Sequence, residues 1–172
     1  MISSPVLFKI LTLGEGGVGK TTLLYRYVEG RFLADTKMTL GVEFFMKELE
    51  IEKKKIHLQV WDFGGQEHFR PLLKNYSLGA RGALLLFDLT RPSSLDRIDQ
   101  WVNICRGENP DIPIIFLGTK LDLTESISVD DKFALKFPKE YNFFQYLKIS
   151  SKTGENVNLA FELLAREIIK SL

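Results

Sequence analysis

The chain contains one cysteine, Cys105, among its 172 residues. A lone thiol excludes an internal disulfide and any cysteine-rich metal site, and it fits a reducing compartment. Its setting, from Trp101 to Cys105, reads as helical, so the thiol is expected as a packing group rather than a reactive one. Charge of one sign is missing too. The 23 basic and 22 acidic side chains leave a formal net charge of +1, and the lysines are scattered or gathered at a turn. That excludes the basic stripe a nucleic-acid binder needs. No apolar run of about 18 residues occurs, so no membrane-spanning helix is expected. The first residues, Met1 to Pro5, lack the basic segment of a secretory signal. They do not begin Met-Gly, and Lys170-Ser171-Leu172 is not a prenylation box, so no lipid anchor is encoded in these residues. Repeats and low-complexity stretches are absent. What remains is a chain with 45% apolar residues, of a length that suits one domain with a real core.

The stretch that organises the chain is Gly14-Glu15-Gly16-Gly17-Val18-Gly19-Lys20-Thr21. It follows an apolar run, Val6 to Leu13, and precedes a helical run, Thr22 to Val28. Strand, glycine-rich turn and helix form the context in which this spacing is a phosphate loop. The glycines let successive N–H groups point into one concavity, and the helix N-terminus adds unpaired donors and a partial positive charge. Lys20 is expected to reach the β- and γ-phosphates, and the Thr21 hydroxyl to ligate Mg²⁺, with Thr22 as the next nucleotide contact.

Short apolar runs alternating with longer periodic ones predict an α/β fold. A mostly parallel sheet of about six strands with one antiparallel strand is expected, with about five helices on both faces. Glu29 to Thr39 reads as a long polar loop. Val42–Ile51 and Ile56–Trp61 read as a hairpin around a solvated lysine turn. Phe63 to Gly79 reads as irregular. Ala83–Phe87 and Ile112–Leu117 read as buried parallel strands. Ser93 or Ser94 is expected to cap a helix carrying Ile98, Trp101 and Cys105. A short helix from about Val129 is expected to end before Pro138. Phe143–Ile149 is the last strand, and a closing helix follows Gly154, with Thr153 as its candidate cap.

Three loops carry the remaining chemistry. Asp62 ends a strand beside the phosphate loop, where a carboxylate holds Mg²⁺, usually through water. Gly65, without a side chain, lets its N–H approach a γ-phosphate, and Gln66 can orient a water in line with it. In Thr119-Lys120-Leu121-Asp122 the carboxylate matches the two donors on the guanine edge, and adenine offers neither. Lys120 can lay its stem along the purine face, and Leu123 follows as a further contact. The Ser150-Ser151-Lys152 loop can supply a backbone N–H to guanine O6.

These stretches, GEGGVGKT, the lone threonine of KMTLGVEFF, WDFGGQEHFR, GTKLDL and SSKTGENV, stand in the order and spacing of the Ras superfamily. The chain resembles a Ras-superfamily small GTPase over its whole length, as one domain from 1 to 172, with GVEFF, GQEHFR and KTGENVNLAFE resembling the Rab-like branch. The resemblance implies a P-loop NTPase fold and a switch that hydrolyses GTP to GDP with Mg²⁺. Thr39 is then the switch I threonine that binds Mg²⁺ and senses the γ-phosphate. Phe32 lies across the guanine, and Gly65 and Gln66 open switch II. Switch I spans roughly residues 31–41 and switch II roughly residues 62–76. Phe44, Trp61 and Tyr76 match the aromatic effector face, with core packing an equal reading for Trp61. Effector, exchange-factor and GTPase-activating proteins are the implied partners of a monomer. Its expected place is the cytoplasm, or the cytoplasmic face of membranes through a tail outside these residues.

Phe63-Gly64 replaces the family's Thr-Ala, and Gly64 resembles the Arf branch, so two adjacent glycines are expected to loosen switch II. Thr119 replaces the usual asparagine and is expected to be too short to bridge base and phosphate loop. Ser151 in place of alanine is expected to be neutral. No arginine precedes Thr39 where it could act as a built-in finger, and Lys37 and His68 read as surface groups. Unaided hydrolysis is therefore expected to be slow. A side chain at Gly16 would crowd Gln66 and an incoming arginine. Two other classes stand as alternatives: a non-hydrolysing pseudo-GTPase module, and an adenine-nucleotide kinase or ATPase, for which no arginine-bearing lid is visible.

Overall fold

A computed structural model describes residues 4–34, 41–63 and 70–172, the side chain of Arg70 excepted. In chain order the elements are β1 (Val6–Leu13), α1 (Lys20–Glu29), β2 (Val42–Ile51), β3 (Lys54–Phe63), α2 (Arg70–Tyr76), β4 (Gly82–Asp88), α3 (Ile98–Arg106), β5 (Ile114–Thr119), α4 (Asp131–Ala134), α5 (Lys136–Tyr141), β6 (Gln145–Lys148) and α6 (Val157–Lys170). The six strands form one sheet in the order β2-β3-β1-β4-β5-β6. Every neighbouring pair is parallel except β2 and β3, which form the expected antiparallel hairpin.

The apolar runs are explained by burial on both sheet faces. In β4, Leu84 and Leu86 face the layer that includes Leu23 and Leu24 of α1 and Phe161 and Leu164 of α6. Ala83, Leu85 and Phe87 face the layer that includes Ile98, Trp101 and Cys105 of α3. A strand covered on both faces has no polar face to alternate with, so its sequence reads as continuous apolar residues. Strand β2 lies at the sheet edge and does alternate, with Glu43, Phe44, Met46 and Glu48 exposed.

Five local readings change. The hairpin turn is Glu52-Lys53, both left-handed at φ 53° and 65°, as a two-residue type I′ turn demands, while Lys54 and Lys55 belong to the strand. The stretch read as irregular contains α2, whose second residue is Pro71. Proline is tolerated in a first turn because the N–H it lacks has no helical partner there. The same reason lets Pro138 sit inside α5 instead of ending the helix before it. Neither expected cap serves its helix. Ser94 Oγ accepts from Asp88 N at 2.9 Å and donates to Arg91 O at 2.7 Å, tying the β4 end to its own turn. Thr153 Oγ1 accepts from Glu155 N at 3.2 Å, one turn before α6 begins.

The phosphate loop, Asp62 and the loops that begin near Thr119 and Ser150 stand at the carboxyl ends of β1, β3, β5 and β6. That is the edge where open α/β sheets bind ligands.

Candidate functional site

The glycine-rich loop bridges β1 and α1. Its first glycine, Gly14, has φ 145°, and a Cβ there would stand 2.6 Å from the Leu86 carbonyl oxygen. Only glycine fits between the loop and β4. Gly17 and Gly19 are left-handed at φ 77° and 100°, so the loop curls before α1 begins. Lys20 opens α1 and is buried, and its Nζ donates to the Gly14 and Glu15 carbonyls, each at 2.9 Å. Burial draws its ammonium down to about 8; Asp62 and Glu15 oppose the shift, and Arg91 adds to it. A buried cation donating to carbonyls gains from an arriving polyanion.

Thr21 Oγ1 donates to Asp62 Oδ2 at 2.5 Å. Asp62 is fully buried near the end of β3. Two hard oxygen donors from distant parts of the chain thus converge beside the phosphate loop, which is the donor type Mg²⁺ takes. Among the described residues no cluster of three or more His, Cys, Asp or Glu forms a metal cage. One or two protein oxygens completed by phosphates and water is the usual arrangement for this ion, so the residues present fit it.

A cleft of about 630 Å³ opens from the loop toward β5 and β6. It is lined by Gly17, Val18, Gly19 and Thr22, by Phe32, Leu33 and Ala34, and by Thr119, Lys120, Asp122, Leu123, Ser151 and Lys152. The structure therefore gathers the phosphate loop and the Thr119–Leu123 and Ser151–Lys152 stretches around one cavity. Asp122 Oδ1 accepts from Ser150 Oγ at 2.8 Å, and Ser150 Oγ accepts from Thr153 N at 3.1 Å. Ser150 is buried behind the cleft wall, not part of it. Its N–H is engaged by the Glu155 carbonyl at 3.1 Å.

Lys120, left-handed at φ 66°, stretches its Nζ to the Gly17 carbonyl at 3.1 Å and to Asp88 Oδ2 at 2.8 Å. Burial pushes the Asp88 carboxyl up, but hydrogen bonds from Lys120 and Thr90 outweigh it and leave the group below its ordinary value. The Thr119 hydroxyl is shared between the Val18 carbonyl at 2.6 Å and the Phe87 carbonyl at 3.0 Å. The Thr119 side chain thus ties the end of β5 to the phosphate loop.

Phe44, Trp61 and Tyr76 form one aromatic cluster, with ring centroids 4.4 Å apart for Phe44–Trp61 and 5.5 Å for Trp61–Tyr76. Phe44 is 54% exposed, and Lys9 Nζ stands 3.8 Å from the Trp61 ring. Trp61 is half-buried, packing inward on Phe63 while joining the outer cluster. Thr39, Gly65 and Gln66 lie outside the described residues, as do Lys37, Gly64 and His68. A Cβ at Gly16 would meet nothing within 4 Å among the described residues.

The sequence reading missed two groups. Trp101 of α3 donates its indole N–H to Glu15 Oε1 at 3.4 Å. Arg91, in the turn after β4, donates Nη2 to the Gly16 carbonyl at 2.7 Å. The available signal was position: both come after β4 in the chain, and β4 pairs with β1 in the sheet.

The Ras family model matches residues 9–170. The Ras-related proteins Rab-8B of Homo sapiens and of Bos taurus are each 38% identical to this chain over 167 residues, 96% of this chain and 80% of theirs.

Proposed function

Because the chain belongs to the Ras family of small GTPases and is a GTP-binding GTPase, we propose that it works as a guanine-nucleotide switch through residues this sequence itself supplies. The single cleft that joins Gly17–Gly19 to Asp122 and Ser151 carries this reading. It offers phosphate donors at one end and a carboxylate acceptor at the other. Asp122 accepts the guanine N1–H and N2–H₂ donors, with Ser150 holding the carboxylate in place. Because the Ser150 N–H is engaged, the donor to guanine O6 comes from Ser151 or Lys152. Lys120 lays its stem along the base, and Phe32 and Leu123 shield it.

At the other end, Gly14 to Thr22 cradle the phosphates, and Lys20 binds their β- and γ-oxygens. Thr21, Thr39 and Asp62 would hold Mg²⁺, which neutralises charge on the phosphate oxygens when bound. Gln66 orients the attacking water, and Gly65 approaches the γ-phosphate with its N–H. Thr39 and Gly65 are drawn inward with GTP and released after hydrolysis, so switch I and switch II present two surfaces to partners. The Phe44, Trp61 and Tyr76 cluster is the effector face. With no arginine before Thr39 placed to act as a built-in finger, the unaided rate is slow, and an arginine from an activating protein adds roughly 10³–10⁵-fold. The chain acts as one monomeric domain. Its likeness to Rab-8B supports a place in membrane traffic or cytoplasmic signalling. No helix among the described residues is long and apolar enough to cross a membrane.

The test is to denature the purified protein and identify the released nucleotide by chromatography. GDP at about one per chain is the expected result. Intact GTP would keep the base site and remove turnover, leaving a non-hydrolysing binding module. ADP, or no nucleotide, would overturn the reading of Asp122.

A further inference from the structure

We propose that Arg91 is a positioning residue of the phosphate loop, holding the Gly16 carbonyl outward so that the Gly17 N–H faces the phosphates. The inference rests on the guanine-nucleotide reading above. Three consecutive carbonyls of the loop are held by side chains: Gly16 by Arg91 at 2.7 Å, Gly17 by Lys120 at 3.1 Å and Val18 by Thr119 at 2.6 Å. There are no cis peptide bonds among the described residues. In a trans peptide the carbonyl of one residue and the N–H of the next point in opposite directions. Each side chain that fixes a carbonyl therefore also aims the following N–H, those of Gly17, Val18 and Gly19.

The Gly16–Gly17 peptide needs this most. Neither residue has a Cβ, so the chain itself gives the plane little preference for one face over the other. Arg91 is built to supply that preference. It precedes Pro92, which restricts it to extended backbone, and it has φ −136° and ψ 93°. Its N–H donates to the Asp88 carbonyl at 3.0 Å, and its carbonyl accepts from Ser94 N at 3.0 Å and Ser94 Oγ at 2.7 Å. The guanidinium thus projects from a fixed turn at the end of β4. Its Nη1 stands 3.6 Å from where a Cβ of Gly17 would lie. A cation at the carbonyl end of a peptide also polarises the unit, making its N–H a stronger donor to an anion.

A residue that only stapled the turn to the loop would affect stability, and would affect all ligands alike. A positioning residue affects ligands that carry phosphate. The experiment compares wild-type protein with Arg91→Met, which keeps the stem but has no donor, and Arg91→Lys, which keeps a cation that can bond a carbonyl as Lys120 does. GDP release is followed with a fluorescent analogue, and guanosine affinity by competition against it. The expected result is GDP release about tenfold faster in Arg91→Met, guanosine affinity within about twofold of wild type, and Arg91→Lys recovering most of the loss. Should the methionine variant fold poorly, Arg91→Gln is read for the same ratio of GDP to guanosine. Release of GDP at the wild-type rate, or equal losses for GDP and guanosine, would overturn the inference. Wild-type protein that binds no guanine nucleotide would overturn the functional reading, and this inference with it.

Discussion

The Ser150 hydroxyl donates to Asp122 Oδ1 at 2.8 Å while accepting the Thr153 N–H at 3.1 Å. The carboxylate, which offers only acceptors, decides the direction of the first. With a lone pair engaged by the backbone donor, the hydroxyl proton is left to point at the carboxylate. The loop after β6 thus orients the side chain that leaves β5, and the proposed base site draws on two neighbouring strands.

Asp122→Asn is therefore expected to do more damage than its size suggests. The amide turns one acceptor into a donor facing donors on the guanine edge, leaving polar groups unpaired. GDP affinity should fall by at least about 100-fold. Ser150→Ala removes the orienting bond and the acceptor of the Thr153 N–H but leaves the Asp122 carboxylate in place, and should weaken GDP about tenfold, mostly through faster release. Isothermal titration and stopped-flow release of GDP measure both. Equal effects from the two substitutions would contradict the assigned hierarchy.

Gly14 and Gly16 make a contrasting pair for stability. Alanine at Gly14 sets a Cβ 2.6 Å from the Leu86 carbonyl, at a φ of 145°. Backbone cannot rotate away as a side chain can, so Gly14→Ala should cost about 2 kcal/mol and lower Tm by about 4–8 °C. Alanine at Gly16 meets nothing within 4 Å among the described residues and should leave Tm within about 1 °C. Thermal unfolding of the nucleotide-free proteins reads both. If Gly16→Ala nonetheless slows GTP turnover, the effect lies with Gln66 or with an incoming arginine, not with folding.

These pairs also mark what the sequence could carry. The buried strands were legible because β4 and β5 are covered on both faces and leave no polar alternation. The phosphate loop and Asp122 were legible because each follows such a strand at a spacing chemistry requires. The helix around Pro71 was not, because a proline reads as a breaker unless it is known to fall in a first turn. The clasp of Arg91 on Gly16 was hidden more deeply. Those residues are 75 positions apart, and they meet only because β1 and β4 are neighbours in the sheet. Periodicity gives the strands; it does not give their order.

Cys105 supplies a pH-dependent check on the core. Burial pushes its thiol up to about 12, with Arg106 pulling the other way. The native thiolate fraction at pH 8 is then about one in ten thousand, and the side chain is 1% exposed. Ellman's reagent at pH 8 should modify native protein at least about 100-fold more slowly than protein unfolded in guanidinium. The linkage sign follows from the raised pKa. Between the unfolded value of 9.0 and about 12, the folded state keeps a proton that the unfolded state has lost. The stability this group contributes is therefore complete below pH 9.0 and declines as pH rises through that window. Rapid native labelling at pH 8 would contradict the packing of α3 against the sheet.

Gln66 carries the prediction that separates binding from turnover. Its amide is neutral, with one donor and one acceptor face, so it can orient a water without acting as a strong base. Gln66→Leu is close in size and has neither hydrogen-bonding group. The nucleotide contacts assigned to Lys20, Thr21, Asp62 and Asp122 do not involve it. GTP affinity should stay within about threefold of wild type. Single-turnover conversion of GTP to GDP should slow by at least about tenfold, and an added activating protein should lose most of its roughly 10³–10⁵-fold effect. Because the loss appears in the chemical step and not in affinity, it reports an interaction made in the transition state. Unchanged hydrolysis would remove Gln66 from its role and shift the positioning of water to another group in the loop after β3. A parallel loss of affinity would instead mean that the side chain supports the bound nucleotide.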